Sequence, residues 1–356
     1  MSIFKLGSVV LAALIIYGLC GCSTDGDGPL RLPIDFIEME LISAGTFKMG
    51  SPGTEPWTTL IQPQTQRDVT LTQSFYVGRY VVTQNQYRTV MGKNPSFFNN
   101  TGAKTDTSVS PPLEYDTTPA PGENQGNRPV EWVSWYDALI FCNRLSIATG
   151  LEPAYRISGS TNPADWGAAP TGGLYDSTAT AWNAVEIVNG SKGFRLPTEA
   201  QWEYTCRAGT TSSYNNGEDA EPIWELYSSA PGNIMSIEEA LEIYPDLFDV
   251  IPGWHRYNSD DRTHEVSAGE WGPNDWGLYN MHGNVWEWCW DKHTRGNDYD
   301  PADTTDPMGP ASGDDRIERN GGFRSRPDAF MRSGARNSVS PSTRSNDLGF
   351  RVVRPE

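Results

Sequence analysis

The chain has 356 residues and a formal charge of −18, with 27 lysines and arginines against 45 aspartates and glutamates. This acidic balance argues against nucleic acid as a partner, and against electrostatic attraction to anionic lipids. The length is sufficient for a large hydrophobic core and, taken alone, is compatible with one or two domains.

The N-terminus has the pattern of an export signal. Lys5 is followed by an apolar run from Leu6 to Leu19, which is shorter than a typical transmembrane helix. The run ends in Leu19-Cys20-Gly21-Cys22, which resembles the lipobox of bacterial lipoproteins, with cleavage before Cys22. The alternative is an ordinary secretory signal in which the two cysteines are incidental.

We therefore expect residues 1–21 to be a lipoprotein signal peptide and Cys22 to be the lipidated residue. Residues 22–34, rich in glycine, aspartate and proline, would form a flexible tether. The expected location is the bacterial cell envelope, at the outer membrane or the cell surface, with the lipid anchor as the contact to the membrane.

Three helices are predicted by their N-terminal capping boxes, in which a serine or threonine is followed three residues later by a polar acceptor. The predicted ends lie at Gly92, near Gly150 and at Gly209. The three boxes are Thr83 with Gln86, Ser134 with Asp137, and Thr198 with Gln201.

Strands and loops are predicted from composition and periodicity. Strand-like runs occupy residues 45–49, 75–82 and 348–353. Long stretches rich in Gly, Pro, Asn, Asp, Thr and Ser are predicted to be irregular, and loops of this length are usually functional or internally packed. These stretches are 93–128, 157–192, 210–262 and 292–315.

Residues 276–291, WGLYNMHGNVWEWCWD, are the most distinctive stretch. Tryptophans 286, 288 and 290 alternate with polar residues or cysteine, which predicts a strand. Oxygen atoms near Asn280, Gly283, Val285 and Glu287 could converge on a hard cation such as calcium. The alternative is an aromatic core strand after a tight turn, with Glu287 only salt-bridged.

The cysteines and histidines indicate no zinc site. Beyond the signal region only Cys142, Cys206 and Cys289 remain, which allows at most one internal disulfide. Cys142 and Cys206 lie on apolar faces of predicted helices, so buried, unreactive thiols are favoured. The chain contains no CxxC motif, and its four histidines lack the spacing of metal ligands on a helix.

The GLYNMHGNVWEW block at 277–288 resembles the signature of the formylglycine-generating enzyme (sulfatase-modifying factor) family. The resemblance implies an α+β fold with C-type-lectin-like topology, low in regular secondary structure, as a single domain over residues 35–356. Further blocks follow the family order: FKMGS at 47–51, FYVGRYVVTQNQYRTVMG at 75–92, PVEWVSWYDALIFCNRLS at 129–146, GFRLPTEAQWEYTCRAG at 193–209, GG at 321–322 and LGFR at 348–351.

Catalytic members of this family oxidise a substrate cysteine with a copper ion held by two cysteines, located after the GG pair. Here residues 321–332 read GGFRSRPDAFMR and contain no cysteine, and the segment is about three residues shorter than the catalytic version. Because Cu(I) requires soft ligands such as thiolates, we expect no copper. The alternative is an oxidoreductase of the same family with a substituted active site.

The resemblance strengthens the calcium interpretation. Catalytic relatives bind calcium through positions that match the Asn280 side chain, the Gly283 and Val285 carbonyl groups and the Glu287 carboxylate. All four positions here can act as ligands, so a structural calcium ion is expected. A second calcium site of the family has no recognisable counterpart in residues 224–275.

The remaining class of function is binding of a protein or glycan ligand. Variable proteins of diversity-generating retroelements, also in this family, place hypervariable residues in the segment matching 321–354. The stretch from Arg316 to Arg354 contains nine arginines and only three acidic residues. Two of these arginines, Arg332 and Arg336, are predicted to belong to the framework, in salt bridges with the acidic body of the chain. The predicted ligand-facing residues are Phe323, Arg324, Ser325, Arg326, Asp328 and Phe330, bordered by Ser342, Thr343 and Arg344.

The lipobox yields a direct prediction. Cys22→Ala removes the thiol that would be acylated, so the protein should leave the membrane fraction and appear in the soluble fraction of lysed cells. Cys20→Ala is the matched control and should remain with the membranes. Equal partitioning of the wild type and Cys22→Ala would exclude the lipid anchor.

Overall fold

The computed structural model describes residues 29–53, 55, 65–107, 111–172, 179–220, 249–293 and 302–356. The strands in this part of the chain are β1 Met39–Ile42, β2 Gly45–Met49, β3 Arg67–Leu71, β4 Phe75–Gly78, β5 Ala103–Asp106, β6 Leu113–Asp116, β7 Tyr155–Arg156, β8 Glu186–Ile187, β9 Trp286–His293, β10 Asp315–Arg319, β11 Asn337–Val339, β12 Leu348–Gly349 and β13 Val353–Pro355. Its α-helices are α1 Gln84–Met91, α2 Trp135–Ala148, α3 Ala179–Asn183, α4 Glu199–Arg207 and α5 Pro327–Phe330.

The predicted class, α+β with few helices and much irregular structure, is confirmed. Residues Arg31–Glu356 form one compact unit. Within the described residues, none of the helices combines the length and the apolar character needed to cross a membrane. The predicted lipidation site Cys22 lies outside the described residues.

The three predicted capping boxes are present at the starts of α1, α2 and α4. At each start the hydroxyl accepts from the backbone N–H three residues later, and the side chain there accepts from the cap backbone. Helix α1 ends at Gly92, whose φ of +76° suits glycine. Helix α4 receives a further acceptor, because the Asp291 carboxylate binds the N–H of Glu199 at 2.7 Å.

Strand β9 lies inside a four-stranded sheet of order β11-β10-β9-β12, in which β12 is parallel to β9. The predicted alternation is confirmed, and both faces are covered. Its tryptophans face α2 and the segments on either side of that helix. Trp290 lies 5.5 Å from the Trp135 ring of α2 and stacks on Tyr155 of β7 at 5.4 Å. The Trp288 indole donates to the Val133 carbonyl at 3.0 Å. Glu287 and Cys289, on the opposite face, lie towards α4.

Helix α4 is tied to the arginine-rich C-terminal region by buried ion pairs. Glu203 binds Arg207 at 2.9 Å and also binds Arg319 of β10, while Glu199 binds Arg336 at 2.9 Å. All five side chains are almost completely buried. A buried charge that loses its partner is strongly destabilising, so these pairs fix the position of the C-terminal region relative to α4.

The predicted strands 75–82 and 348–353 are shorter than expected. The first is β4, and the second divides into β12 and β13, which belong to different sheets. The chain leaves β9 after Gly349, where a Cβ atom would lie 2.4 Å from the Val130 carbonyl oxygen. Between the sheets, Arg351 turns inward to bind Glu287, which interrupts the strand pattern.

The stretch 93–128 contains more order than predicted. Strands β5 and β6 form an antiparallel hairpin there. Under the hairpin, the rings of Phe97, Phe98, Tyr115 and Phe323 form an aromatic cluster with edge-to-face contacts of 5.3–6.3 Å. The buried Glu131 carboxylate accepts from the N–H groups of Phe97 and Phe98 at 2.9 Å, which anchors the cluster to the segment before α2.

Candidate functional site

The predicted ligand segment begins at a turn after β10. Gly321 has a φ of +77°, and a Cβ atom on Gly322 would lie 2.9 Å from the Asp347 side chain. Glycine is therefore required at both positions, one for conformation and one for space. The turn leads to a surface beside Trp286, where the Phe330 ring contacts the indole and the Asp347 carbonyl accepts from the Trp286 N–H.

Part of the predicted set lies on this surface. Arg324, Arg326 and Phe330 are partly exposed, and the Phe330 ring lies edge-on to Trp286 with centroids 6.1 Å apart. The bordering residues Ser342, Thr343 and Arg344 are partly exposed as well. We call the partly exposed side chains of these six residues, together with Asp347, the C-terminal surface.

The structure corrects three predicted members of the set, because they are buried. Phe323 is fully buried in the aromatic cluster and offers no area to a ligand. Asp328 is fully buried and pairs with Arg326 at 2.9 Å. Ser325 closes the glycine turn, where its hydroxyl accepts from the Gly322 N–H at 2.9 Å. These side chains support the surface from below.

The framework role predicted for Arg332 and Arg336 is confirmed. Arg332 is buried and pairs with Glu55, and Arg336 is buried and pairs with Glu199. The arginines at the surface are paired too. Arg324 lies 3.4 Å from Asp261 and donates to the Tyr115 hydroxyl, and Arg344 lies 2.7 Å from Asp137.

Two carboxylates, one in the C-terminal surface and one beneath it, were not predicted as functional. Glu318 is buried and accepts from Asn337 at 2.7 Å, and burial raises its pKa to about 8, with help from the charge of Asp347. Burial also raises the pKa of the Asp347 carboxyl, which accepts from the Ser345 hydroxyl. Within the described part of the chain neither has a lysine or arginine at ion-pair distance. The sequence signal was present, since both are among the few acids of the arginine-rich region.

The four predicted calcium-binding residues converge on one point. The Asn320 side-chain nitrogen Nδ2 lies 3.0 Å from the Asn280 carbonyl oxygen and 2.8 Å from the carbonyl oxygens of Gly283 and Val285. It also lies 3.4 Å from the Glu287 carboxylate. An amide nitrogen carries two hydrogens, so it cannot donate to all four oxygens at once.

The amide oxygens around this point test whether a cation fits. The Oδ1 atoms of Asn280 and Asn320 are buried and have no hydrogen-bond partner in the described structure. Three carbonyl groups and one carboxylate surround the point, and two of the residues that form it carry unpaired amide oxygens. Oxygen donors of these kinds are the ligands that calcium prefers. Asn280 also lines a cavity of about 230 Å³. The residues present therefore fit calcium. The structure adds Asn320, which was not predicted, and turns the Asn280 carbonyl towards the point.

The predicted burial of the cysteine thiols is confirmed. Cys142, Cys206 and Cys289 are free and buried. Cys206 lies 3.7 Å from the His282 ring, but burial raises the pKa of its thiol to about 12 and lowers the pKa of His282 to about 4. His282 Nε2 also accepts from the Asn215 N–H at 3.2 Å. The pair thus remains neutral near pH 7, and it lacks the thiolate that nucleophilic chemistry needs.

The order of these features along the chain, with converging oxygen atoms before the tryptophan-rich strand and the glycine turn after it, matches one class of protein. The chain belongs to the sulfatase-modifying factor enzyme 1-like domain family, whose profile matches residues 33–356. It is 30% identical over 292 residues to the chaperone protein LppX of Paenibacillus barcinonensis. The aligned residues cover 80% of this chain and 81% of that protein.

Two further proteins show the range of the family. A formylglycine-generating enzyme of Thermomonospora curvata is 26% identical over 346 residues, covering 93% of this chain and 98% of the enzyme. The solved structure of Treponema denticola variable protein 1 has a TM-score of 0.64 at 32% identity, covering 89% of this chain and 95% of that chain. These similarities confirm the predicted sulfatase-modifying-factor fold with C-type-lectin-like topology, and they agree with the predicted relation to variable proteins.

The raised pKa of Glu318 predicts a pH dependence of stability. The native carboxyl holds its proton up to about pH 8, whereas the unfolded one releases it near pH 4.5. The free energy of unfolding should therefore fall as the pH rises between these values. Glu318→Gln keeps the acceptor for Asn337 and removes the titration. At pH 8 the variant should be more stable than the wild type, by a difference on the order of 2 kcal/mol.

Chemical denaturation at pH 5 and pH 8 measures this effect. Glu131, whose pKa burial also raises to about 8, leaves a residual pH slope in the variant. Glu38→Gln, at a side chain that is 61% exposed, is the control and should follow the wild type. An identical loss of stability from pH 5 to pH 8 in the wild type and Glu318→Gln would contradict the prediction.

Proposed function

We propose that this chain is a lipid-anchored binding protein of the bacterial cell envelope, which captures a protein or glycan ligand on its C-terminal surface. The observation that carries the proposal is that one segment, residues 323–336, contains both buried framework side chains and partly exposed ones. Phe323, Asp328, Arg332 and Arg336 are buried and paired or packed, whereas the side chains between them reach the surface. A rigid frame that presents variable side chains is typical of recognition sites.

The comparisons support a binding role in two ways. One relative is named a chaperone and another a variable protein, and both align over most of this chain. The interval that holds the copper cysteines in catalytic relatives contains no cysteine here and folds as part of the C-terminal surface. The alternative, an oxidoreductase with a substituted site, would need a reactive group at that surface, and the three thiols of the domain are buried elsewhere.

The binding role predicts a selective loss of partner capture. Changing Arg324, Arg326 and Phe330 together to Ala should abolish recovery of the partner from cell-surface or host extracts. These side chains are partly exposed, and Asp328→Asn is added to remove the buried charge that Arg326 balances. The melting temperature should therefore change by only a few degrees. Affinity capture with identification by mass spectrometry, together with calorimetry of the purified proteins, measures both quantities.

A matched triple variant controls for surface charge and apolar area. Arg88, Arg144 and Ile147 are exposed on α1 and α2, and their replacement by Ala removes the same number of arginines and one apolar side chain. This variant should capture the partner like the wild type. A partner lost equally from both variants, or from neither, would refute the C-terminal surface as the binding site.

We further propose that calcium occupies the point where Asn280, Gly283, Val285, Glu287 and Asn320 converge. The ion would satisfy the two unpaired amide oxygens and relieve the crowding of four oxygens around one amide nitrogen. The Glu287 charge is already balanced by Arg351 at 2.9 Å. Because affinity depends on ligand charge, the expected Kd lies in the range of extracellular calcium modules, about 10⁻⁴–10⁻³ M.

Asn280→Gly tests the ion without disturbing the backbone, because Asn280 has a φ of +53° and glycine accepts that conformation. Calcium at 100 times its Kd should stabilise the wild type by about 2.7 kcal/mol relative to a chelator, and most of this gain should disappear in the variant. Asn100→Gly, at a φ of +63°, is the matched control and should keep the full gain. Equal wild-type melting temperatures in calcium and in chelator would exclude the ion.

A further inference from the structure

Trp132 has an unusual backbone conformation next to the C-terminal surface. Its φ is +64°, in the left-handed region that bulky residues rarely occupy. The chain is fixed on both sides, because Glu131 binds two backbone N–H groups and the Val133 carbonyl accepts from Trp288. Glycine or asparagine would fit this position with less strain, so the turn itself does not require a tryptophan side chain. A strained residue of this kind is a candidate for a functional role.

The Trp132 ring is supported from one side and partly exposed. It stacks on Phe97 at 5.6 Å with an interplanar angle of 29°. Phe97 belongs to the aromatic cluster, whose other members include Tyr115 and Phe323. The cluster therefore connects Trp132 to the start of the ligand segment, and Arg324 lies over the Tyr115 ring at 5.5 Å.

Trp132 is also bonded to the second loop of the C-terminal surface. Its N–H donates to the Ser345 carbonyl at 2.9 Å, and the Ser345 hydroxyl donates to the Asp347 carboxylate. A rigidly held tryptophan beside a polar rim is the usual arrangement of a binding hot spot. We propose that Trp132 is the aromatic anchor of the binding site and that it receives a lysine or arginine side chain of a basic protein segment. This inference rests on the proposed binding function of the C-terminal surface.

The charges around Trp132 favour a basic ligand over an acidic one. Arg324, Arg326 and Arg344 are each paired with a carboxylate of this chain, so their charge is already matched. Asp347 is partly exposed and has no such partner among the described residues, although burial raises its pKa and the charge of Arg324 partly offsets this. Glu318 adds no negative charge near pH 7, because burial raises its pKa to about 8. Asp347 is therefore the carboxylate of the C-terminal surface that is available to a ligand cation, in a chain with a formal charge of −18.

Two further cations lie near the aromatic cluster. Arg128 is buried 5.0 Å from the centre of the Phe98 ring and donates to the Thr117 carbonyl at 2.9 Å, so it does not reach the surface. Lys104 is 5.3 Å from the centre of the Phe97 ring, and its ammonium donates to the Phe97 carbonyl at 2.7 Å and to Asn99 at 2.9 Å. Its hydrogen bonds are thus directed into this chain. A ligand cation over Trp132 would gain a cation–π contact and an ion pair with Asp347, which together give selectivity for lysine and arginine.

Selection of a displayed random twelve-residue peptide library on the wild-type protein tests this inference. We expect the enriched peptides to be rich in lysine and arginine. Trp132→Gly removes the ring and suits the left-handed backbone, so the variant should fold and should bind these peptides about thirtyfold more weakly. Trp132→Tyr keeps an aromatic ring and should retain most of the affinity.

Two matched controls separate the site from the general acidity of the chain. Asp347→Asn should weaken binding, whereas Asp68→Asn, at an exposed aspartate on β3, should leave it unchanged. Tyr76→Ala removes a partly exposed aromatic ring on β4 that also contacts an arginine, and binding should persist. Equal losses from Asp347→Asn and Asp68→Asn would overturn the inference, since binding would then follow net charge alone.

The remaining outcomes distinguish this inference from the proposed function. Peptides that bind Trp132→Gly like the wild type but fail to bind the variant changed at Arg324, Arg326 and Phe330 would refute the role of Trp132 and preserve the C-terminal surface. Peptides insensitive to both changes would refute both. Enrichment of acidic or neutral peptides, or no enrichment, would overturn the basic ligand, and binding of arrayed glycans in its place would point to a carbohydrate.

Discussion

The Glu287 carboxylate is the interaction on which most of this structure depends. It is fully buried on the central strand, where Arg351 binds both of its oxygens at 2.9 and 3.0 Å and the Trp202 indole donates at 2.9 Å. A buried charge without such partners is costly, so helix α4, the C-terminal chain and the turn at Asn320 are positioned together. The same carboxylate completes the oxygen set of the proposed calcium site, which joins the ion to the folding of the domain.

The arginine-rich C-terminal region contains buried ion pairs of the same kind, and it also contains partly exposed arginines. Arg319, Arg332 and Arg336 are buried with glutamates from α4 and from the region after β2, so they act as a framework. Arg324 and Arg326 lie between them in sequence but are partly exposed, and they pair with the exposed Asp261 and the buried Asp328. A site built in this way tolerates changes in its outward side chains, because the ion pairs that hold the backbone lie beneath them. This explains how one fold can serve both catalysis and recognition.

Much of the fold could be predicted from the sequence, because its signals are local. Capping boxes at Thr83, Ser134 and Thr198 need only two residues three positions apart, and the β9 alternation needs only neighbours. The order of the motif blocks identified the family and its fold. The convergence of the residues proposed to bind calcium was also predictable, since Gly283, Val285 and Glu287 lie within five positions of one another.

The tertiary structure alone decided which of the predicted side chains are exposed. Phe323 is buried because the β5–β6 hairpin, remote in sequence, brings Phe98 and Tyr115 against it. Trp132 lies within the motif block 129–146, where its apolar neighbours suggest a core position. Its ring is nevertheless partly exposed, on a backbone with a φ of +64°. Asp347 and Asp328 give the same signal in the sequence, but among the described residues only Asp328 forms an ion pair with an arginine. Burial and charge pairing depend on elements distant along the chain, so local patterns determine the frame while long-range contacts determine the site.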